Sequence, residues 1–152
     1  MPLRLNPWRR GFVYLCSRRP FGCRGLASAH PSGAPQGIPA PAEIRRARRF
    51  CHAVFDQLWK SAPALYRIQE TEPSERHRAE QAIRRQARKR CYRWVAERLG
   101  LAEAEAHISR LADLGQLRDF YRLARGARMS EILEWAHERE AAEGRRGARK
   151  RA

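Results

Sequence analysis

Cys16, Cys23 and His30 stand at equal intervals in "YLCSRRPFGCRGLASAH", with six residues between each and the next. Thiolate and imidazole are the ligands zinc prefers, and a structural zinc site needs four in tetrahedral array, usually as two close pairs at turns. Cys16 and Cys23 would supply one pair across a widened loop and His30 a third ligand, but nothing upstream of Cys16 is Cys or His. The same spacing fits a disulfide, or two incidental thiols. Four cysteines in 152 residues, Cys16, Cys23, Cys51 and Cys91, fall short of the density of a secreted disulfide scaffold, so a reducing cytoplasm is the expected compartment. His52 and Asp56 form the other chemically suggestive pair. They are four residues apart, hence on one face of any helix through them, where the carboxylate would fix the imidazole tautomer for acid-base work or for a structural hydrogen bond. No nucleophile and no full metal set accompanies the pair, and the sequence identifies no catalytic residue.

Charge points to a binding role. The formal net charge is +16, and 29 of the 32 basic residues are arginine, whose planar guanidinium suits bidentate phosphate contacts. The cations cluster at Arg45, Arg46, Arg48 and Arg49, then at Arg84, Arg85, Arg88, Lys89, Arg90 and Arg93, and again in the last residues. Solvated helix faces usually interleave acids, and residues 84–93 contain none. The expected partner is nucleic acid, bound non-specifically through these arginine-rich segments. The alternative is an adaptor whose arginines dock on an acidic protein. No apolar run is long enough to span a bilayer, so no membrane partner is expected. Residues 1–40 hold six arginines and no acid, as a transit peptide does, but Pro2 and Pro7 interrupt the helix such a peptide needs.

The elements that must position these groups follow from composition and periodicity. Seven prolines and five glycines in residues 1–41 exclude long helices there, and "GFVYLC", residues 11–16, reads as a short strand in a small hairpin. Between 41 and 60, Ile44, Ala47, Cys51, Val54, Phe55 and Leu58 recur at helical spacing and form a core face. A second helix is expected over 74–99, capped by Thr71 or Ser74 and closed at Gly100. Shorter helical pieces should end at Gly115 and Gly126, and a last helix should start at Ser130. The expected architecture is mainly α: a loop-rich, ribbon-like module over 1–40, a helical domain of about four helices over 41–142, and a disordered basic tail over 143–152. Phe55, Trp59, Tyr92 and Trp94 are expected in the core rather than stacked on bases.

"HPSGAPQGIPAPAEIRRARRFCHAVFDQLWK", then "RCYRWVAERLG", then "HIS", resembles a family of bacterial and phage proteins described as a zinc-finger-containing domain. Members show a cysteine-rich ribbon ending in His, a Pro-Leu-Gly turn, a helix of the form R-x-x-R-x-x-x-H-x-x-F-D-x-x-W-K, then Y-x-W-L-A and a His-Ile pair. The matching positions are Cys16, Cys23 and His30 in the ribbon, and Arg45, Arg48, His52, Phe55, Asp56, Trp59 and Lys60 in the helix. Tyr92, Trp94 and Ala96 match the second motif, and His107 with Ile108 the third. The resemblance spans roughly residues 11–125 and implies a structural zinc held through Cys16, Cys23 and His30; in this chain a further ligand would have to come from elsewhere, such as Cys51, His52 or His107, or from a second chain. It implies no reaction. The chain departs from the pattern where the first cysteine pair should precede "GFVYLC", and where Pro-Leu-Gly is Pro35, Gln36, Gly37.

Overall fold

The computed structural model describes residues 3–5, 12–16, 25–32, 34 and 37–149. The fold is mainly α. Helix α1 (Ala42–Ser61) forms because apolar residues return every three or four positions, and it gives way to a 3₁₀ turn (Ala62–Leu65) at Pro63. Ile44, Cys51 and Phe55 are buried, with Ala47, Val54 and Leu58 packed at the edge of the core. Helix α2 (Pro73–Leu99) starts with proline in its first turn, where the missing N–H costs nothing. It ends at Gly100 (φ 64°), and the Leu101 amide turns back to the Ala96 carbonyl. The N-cap position is Glu72 with no side-chain cap, so neither Thr71 nor Ser74 takes the expected role. Burial on α2 sets in at Ala87 and continues through Cys91, Tyr92, Trp94, Val95 and Ala96; most of its first half is exposed.

Residues 102–113 form a series of turns rather than the expected helical piece. Asp113 stops any helix from running through, because its carboxylate accepts the Gln116 N–H at 2.9 Å and so caps helix α3 (Leu114–Gly126). Gly115 consequently lies inside α3, not at the end of a preceding helix. A Cβ there would meet the Asp113 Oδ1 at 2.8 Å, which makes glycine the companion of the cap. Helix α4 (Met129–Arg149) is anchored at its start by Glu131, which accepts from the Arg128 N–H (3.3 Å) and Nε (2.9 Å), not by Ser130. Its backbone stays helical through 143–149, where composition suggests disorder. Extending a formed helix needs no new nucleus, and Ala and Arg propagate it well.

At the other end, β1 (Leu3–Leu5), β2 (Phe12–Leu15) and β3 (Leu26–Ser28) form an antiparallel sheet in the order β1-β2-β3. The expected strand at 11–16 is thus the central one, with Val13 opposite Ser28 and Leu15 opposite Leu26. Leu26 and Ala40 exchange backbone hydrogen bonds at 3.2 Å each, folding the chain back beside β3 before α1 begins. The core lies among α1, α2, α3 and the start of α4, centred on Phe55, whose ring centroid is 4.5 Å from Tyr92 and 5.3 Å from Phe120. Among the described residues, no helix is long and apolar enough to cross a membrane.

Candidate nucleic-acid interface

Arg48 is the buried charge of the fold. It lies on the same stripe as Ile44, Cys51 and Phe55, donates from Nε to the Leu111 carbonyl (3.0 Å) and from Nη1 to the Ile38 carbonyl (2.8 Å), and is 9% exposed. Arg48 therefore leaves the set of solvent-facing cations in which its sequence neighbours placed it. Its job is to join α1 to the turns on either side. Burial pulls its pKa down, but a guanidinium starts so high that it stays charged.

The remaining cations sort by what they already hold. Arg45 donates to the Ala40 carbonyl (2.7 Å), and Arg84 pairs with Glu80 at 3.1 Å. Arg90 makes a two-pronged contact to Glu140 (3.0 and 3.1 Å), and Arg93 meets Glu143 at 2.8 Å. With Arg139 on Glu97, these pairs zip one side of α2 to α4. Arg90 is the most buried of these arginines, at 13% side-chain exposure against 37% for Glu140, so its two-pronged pair is the one worth most; the more exposed pairs are worth little. Arg46, Arg49, Arg85, Arg88 and Lys89 have no carboxylate within 4.0 Å among the described residues.

Three of these five, Arg85, Arg88 and Lys89, line a cleft of about 820 Å³ that also takes in Tyr92, Glu103 and His107. The turns after α2 bring His107 back onto Tyr92, their ring centroids 4.1 Å apart at 34°. Arg88 spans from Tyr92 (5.9 Å) to Trp59 of α1 (5.6 Å), so one guanidinium bridges two helices over two rings. On α1, Asp56 gathers its motif neighbours. It accepts the Trp59 indole N–H at 3.1 Å, faces Lys60 at 3.6 Å and lies 3.8 Å from His52 Nδ1. The last separation is beyond hydrogen-bond reach, and with the carboxylate engaged by the indole the pair is a structural surface contact. Trp94 is buried beneath Arg98, 4.6 Å from its ring, and takes no part in the cleft.

Burial first, then Arg88 and Arg110, holds the His107 pKa below the ordinary imidazole value, so the ring is neutral at pH 7. Burial likewise raises the Tyr92 phenol, against the pull of the adjacent Arg88. The site thus sets three cations, Arg85, Arg88 and Lys89, and one carboxylate, Glu103, beside the Tyr92 and His107 rings. Glu103 was missed in the sequence, as was the division of the cations into paired and unpaired sets. Helical spacing did put Arg85, Arg88, Lys89 and Tyr92 on adjacent rows, but nothing local predicted that residue 107 returns to cover them.

The zinc candidates do not come together in the same way. Cys16 follows β2 and donates its N–H to the Gly25 carbonyl at 3.0 Å, which closes the hairpin connection that carries Cys23. Cys23 itself lies outside the described residues. His30 is exposed, with Nδ1 2.9 Å from the Ser32 hydroxyl. Among the described residues, which do not include Cys23, no group of three His, Cys, Asp or Glu side chains could hold a metal. Cys51 and His107, the further ligands considered from the sequence, are committed elsewhere, and so is Cys91. Cys51 donates its thiol to the Leu117 carbonyl (3.2 Å) and burial pushes its pKa up to about 11; Cys91 packs on Met129 and is pushed to about 12. Both resist the deprotonation a zinc ligand requires. His107 is stacked on Tyr92.

No curated protein and no solved structure matches the chain. The connection between β2 and β3, the Gly37 turn and the whole α1 motif fall within one recognised unit: residues 7–72 match the model of a family described as a zinc-finger-containing domain, the family this sequence resembles.

Proposed function

We propose that the protein binds nucleic acid without sequence preference, using the unpaired cations of α2 and α1 to hold phosphates. The observation that carries this reading is the Arg85, Arg88 and Lys89 trio. Three cations within one turn of helix repel one another, no carboxylate lies within 4.0 Å of them among the described residues, and they line a cleft whose one carboxylate is Glu103. Such an arrangement is favourable when an anion occupies it. Elsewhere on α2, Arg90 and Arg93 pair with glutamates of α4, and Arg76, Arg78 and Arg84 with glutamates of α2 itself.

The test removes two charges from each of two places. R85Q/K89Q should weaken binding of a fluorescent oligonucleotide about tenfold at low salt, because each lost phosphate contact forfeits counterion release. R122Q/R125Q, which removes the same charge from α3, should change affinity less than about threefold. Equal effects would mean that net charge alone is responsible. Weak binding of nucleic acid beside tight binding to one acidic protein would favour the adaptor reading instead.

In this reading the N-terminal module is a scaffold, and Cys16, Cys23 and His30 are the donors a structural zinc would use, with the fourth ligand supplied by a second chain. Metal analysis of purified protein should then find about one zinc per chain, lost in Cys16→Ser with Cys23→Ser. Equal metal content in both proteins would remove zinc from the account without touching the cleft.

A further inference from the structure

The three rings Phe55, Tyr92 and His107 form a column that runs from the centre of the core to the surface. Successive centroids are 4.5 and 4.1 Å apart, with interplanar angles of 47° and 34°. Tyr92 is used on both sides and is only 4% exposed. His107 ends the column, half-buried, with Tyr92 against one side of its ring and the cleft beside it. Next to it the Arg88 guanidinium offers a second flat surface, already held over Tyr92 and Trp59. The column therefore stops at a ring that borders a concave space of about 820 Å³, within the range of roughly 300–1,000 Å³ typical of small-ligand sites.

A duplex does not fit this arrangement well. Its bases are stacked on one another and it presents phosphates on a convex surface, so it could use the rim but not the rings. A single strand can do both, placing a base against a planar side chain and its phosphates on flanking cations. Arg85 and Lys89, one helical turn apart on the rim, suit the phosphates. Glu103, which would repel a phosphate but accept from a base amino group, also lines the cleft. We infer that this cleft takes one unpaired base of a single strand, stacked on His107 and Arg88, with the adjoining phosphates on Arg85 and Lys89. This inference rests on the phosphate-binding reading above and narrows it from polyanion to single strand.

The experiment compares three fluorescent probes of about twelve nucleotides at one low salt concentration: single-stranded DNA, the same sequence as RNA, and the DNA duplex. The unaltered chain should bind at least one single-stranded probe about tenfold more tightly than the duplex, and the DNA and RNA arms identify which strand it prefers. His107→Ala should bring that probe to within about twofold of the duplex, whereas His107→Phe, which keeps a ring, should retain most of the preference. Equal binding of single strands and duplex by the unaltered chain, or a preference that survives His107→Ala, overturns the inference and leaves phosphate binding standing. Failure to bind any probe overturns both. The strand preference itself is read on the unaltered chain, and retention by His107→Phe separates loss of the ring from loss of the fold.

Discussion

Arg48→Met is expected to destabilise the fold by about 3 kcal/mol, although the side chains are similar in size. Each guanidinium hydrogen bond to a carbonyl contributes roughly 1.5–3 kcal/mol, and methionine leaves the Ile38 and Leu111 carbonyls without these donors. Part of that loss is offset, because methionine also removes a desolvated charge and its Nη2, which is buried with no partner. Arg48→Lys should lose nearly as much. An ammonium is a point donor and cannot span two carbonyls that the planar fork reaches together. Urea unfolding monitored by circular dichroism measures both variants, and a loss below about 1 kcal/mol for Arg48→Met would mean that the two contacts do not hold the seam between α1 and its flanking turns.

The same seam fails from the other side in Gly37→Ala, with an expected loss of about 3 kcal/mol. Gly37 has φ 100°, a conformation L side chains rarely adopt, at a cost of about 1–3 kcal/mol. A Cβ there would also stand 2.6 Å from both the Cβ and the carbonyl oxygen of Ser109. Backbone must move to admit it, and the Ile38 N–H bond to the Ser109 carbonyl (3.1 Å) would be disturbed. Since Ile38 donates to one turn while accepting from Arg48, the two substitutions act on one junction. The double variant should therefore lose clearly less than the sum of the singles. Additive losses in the same unfolding assay would show two independent contacts.

That junction also shows what the sequence carried and what it did not. Residues 35–37 depart from the family's Pro-Leu-Gly in the middle position and keep the glycine, the one residue whose replacement the contact with Ser109 forbids. Arg48 sits four residues after Ile44 and seven before Phe55, so its place in the buried stripe was legible from spacing; its charge argued the opposite and misled. The bounds of α1 and α2 were readable to within about a residue because periodicity, Pro73 and Gly100 all act locally. Asp113 was equally local, but Gly115 looked like a terminator until the cap showed that the glycine makes room for it. The pairing of Arg90 with Glu140 and Arg93 with Glu143 joins residues fifty positions apart, and no local rule foretells it. For the same reason the cleft was only half visible. Its cations and Tyr92 share one helix, whereas the ring that completes it comes from a turn whose path is set by packing.

The most direct test of the account is the salt dependence of single-strand binding by the unaltered chain and by R85Q/K89Q. With two phosphates held by Arg85 and Lys89, the slope of log K against log salt should be about −1.4 or steeper, since each contact on a single strand contributes about 0.7. Removing these two contacts should flatten it by about 1.4 while the circular dichroism spectrum stays the same. A slope that R85Q/K89Q leaves unchanged would place the phosphates elsewhere and contradict the assignment of the cleft.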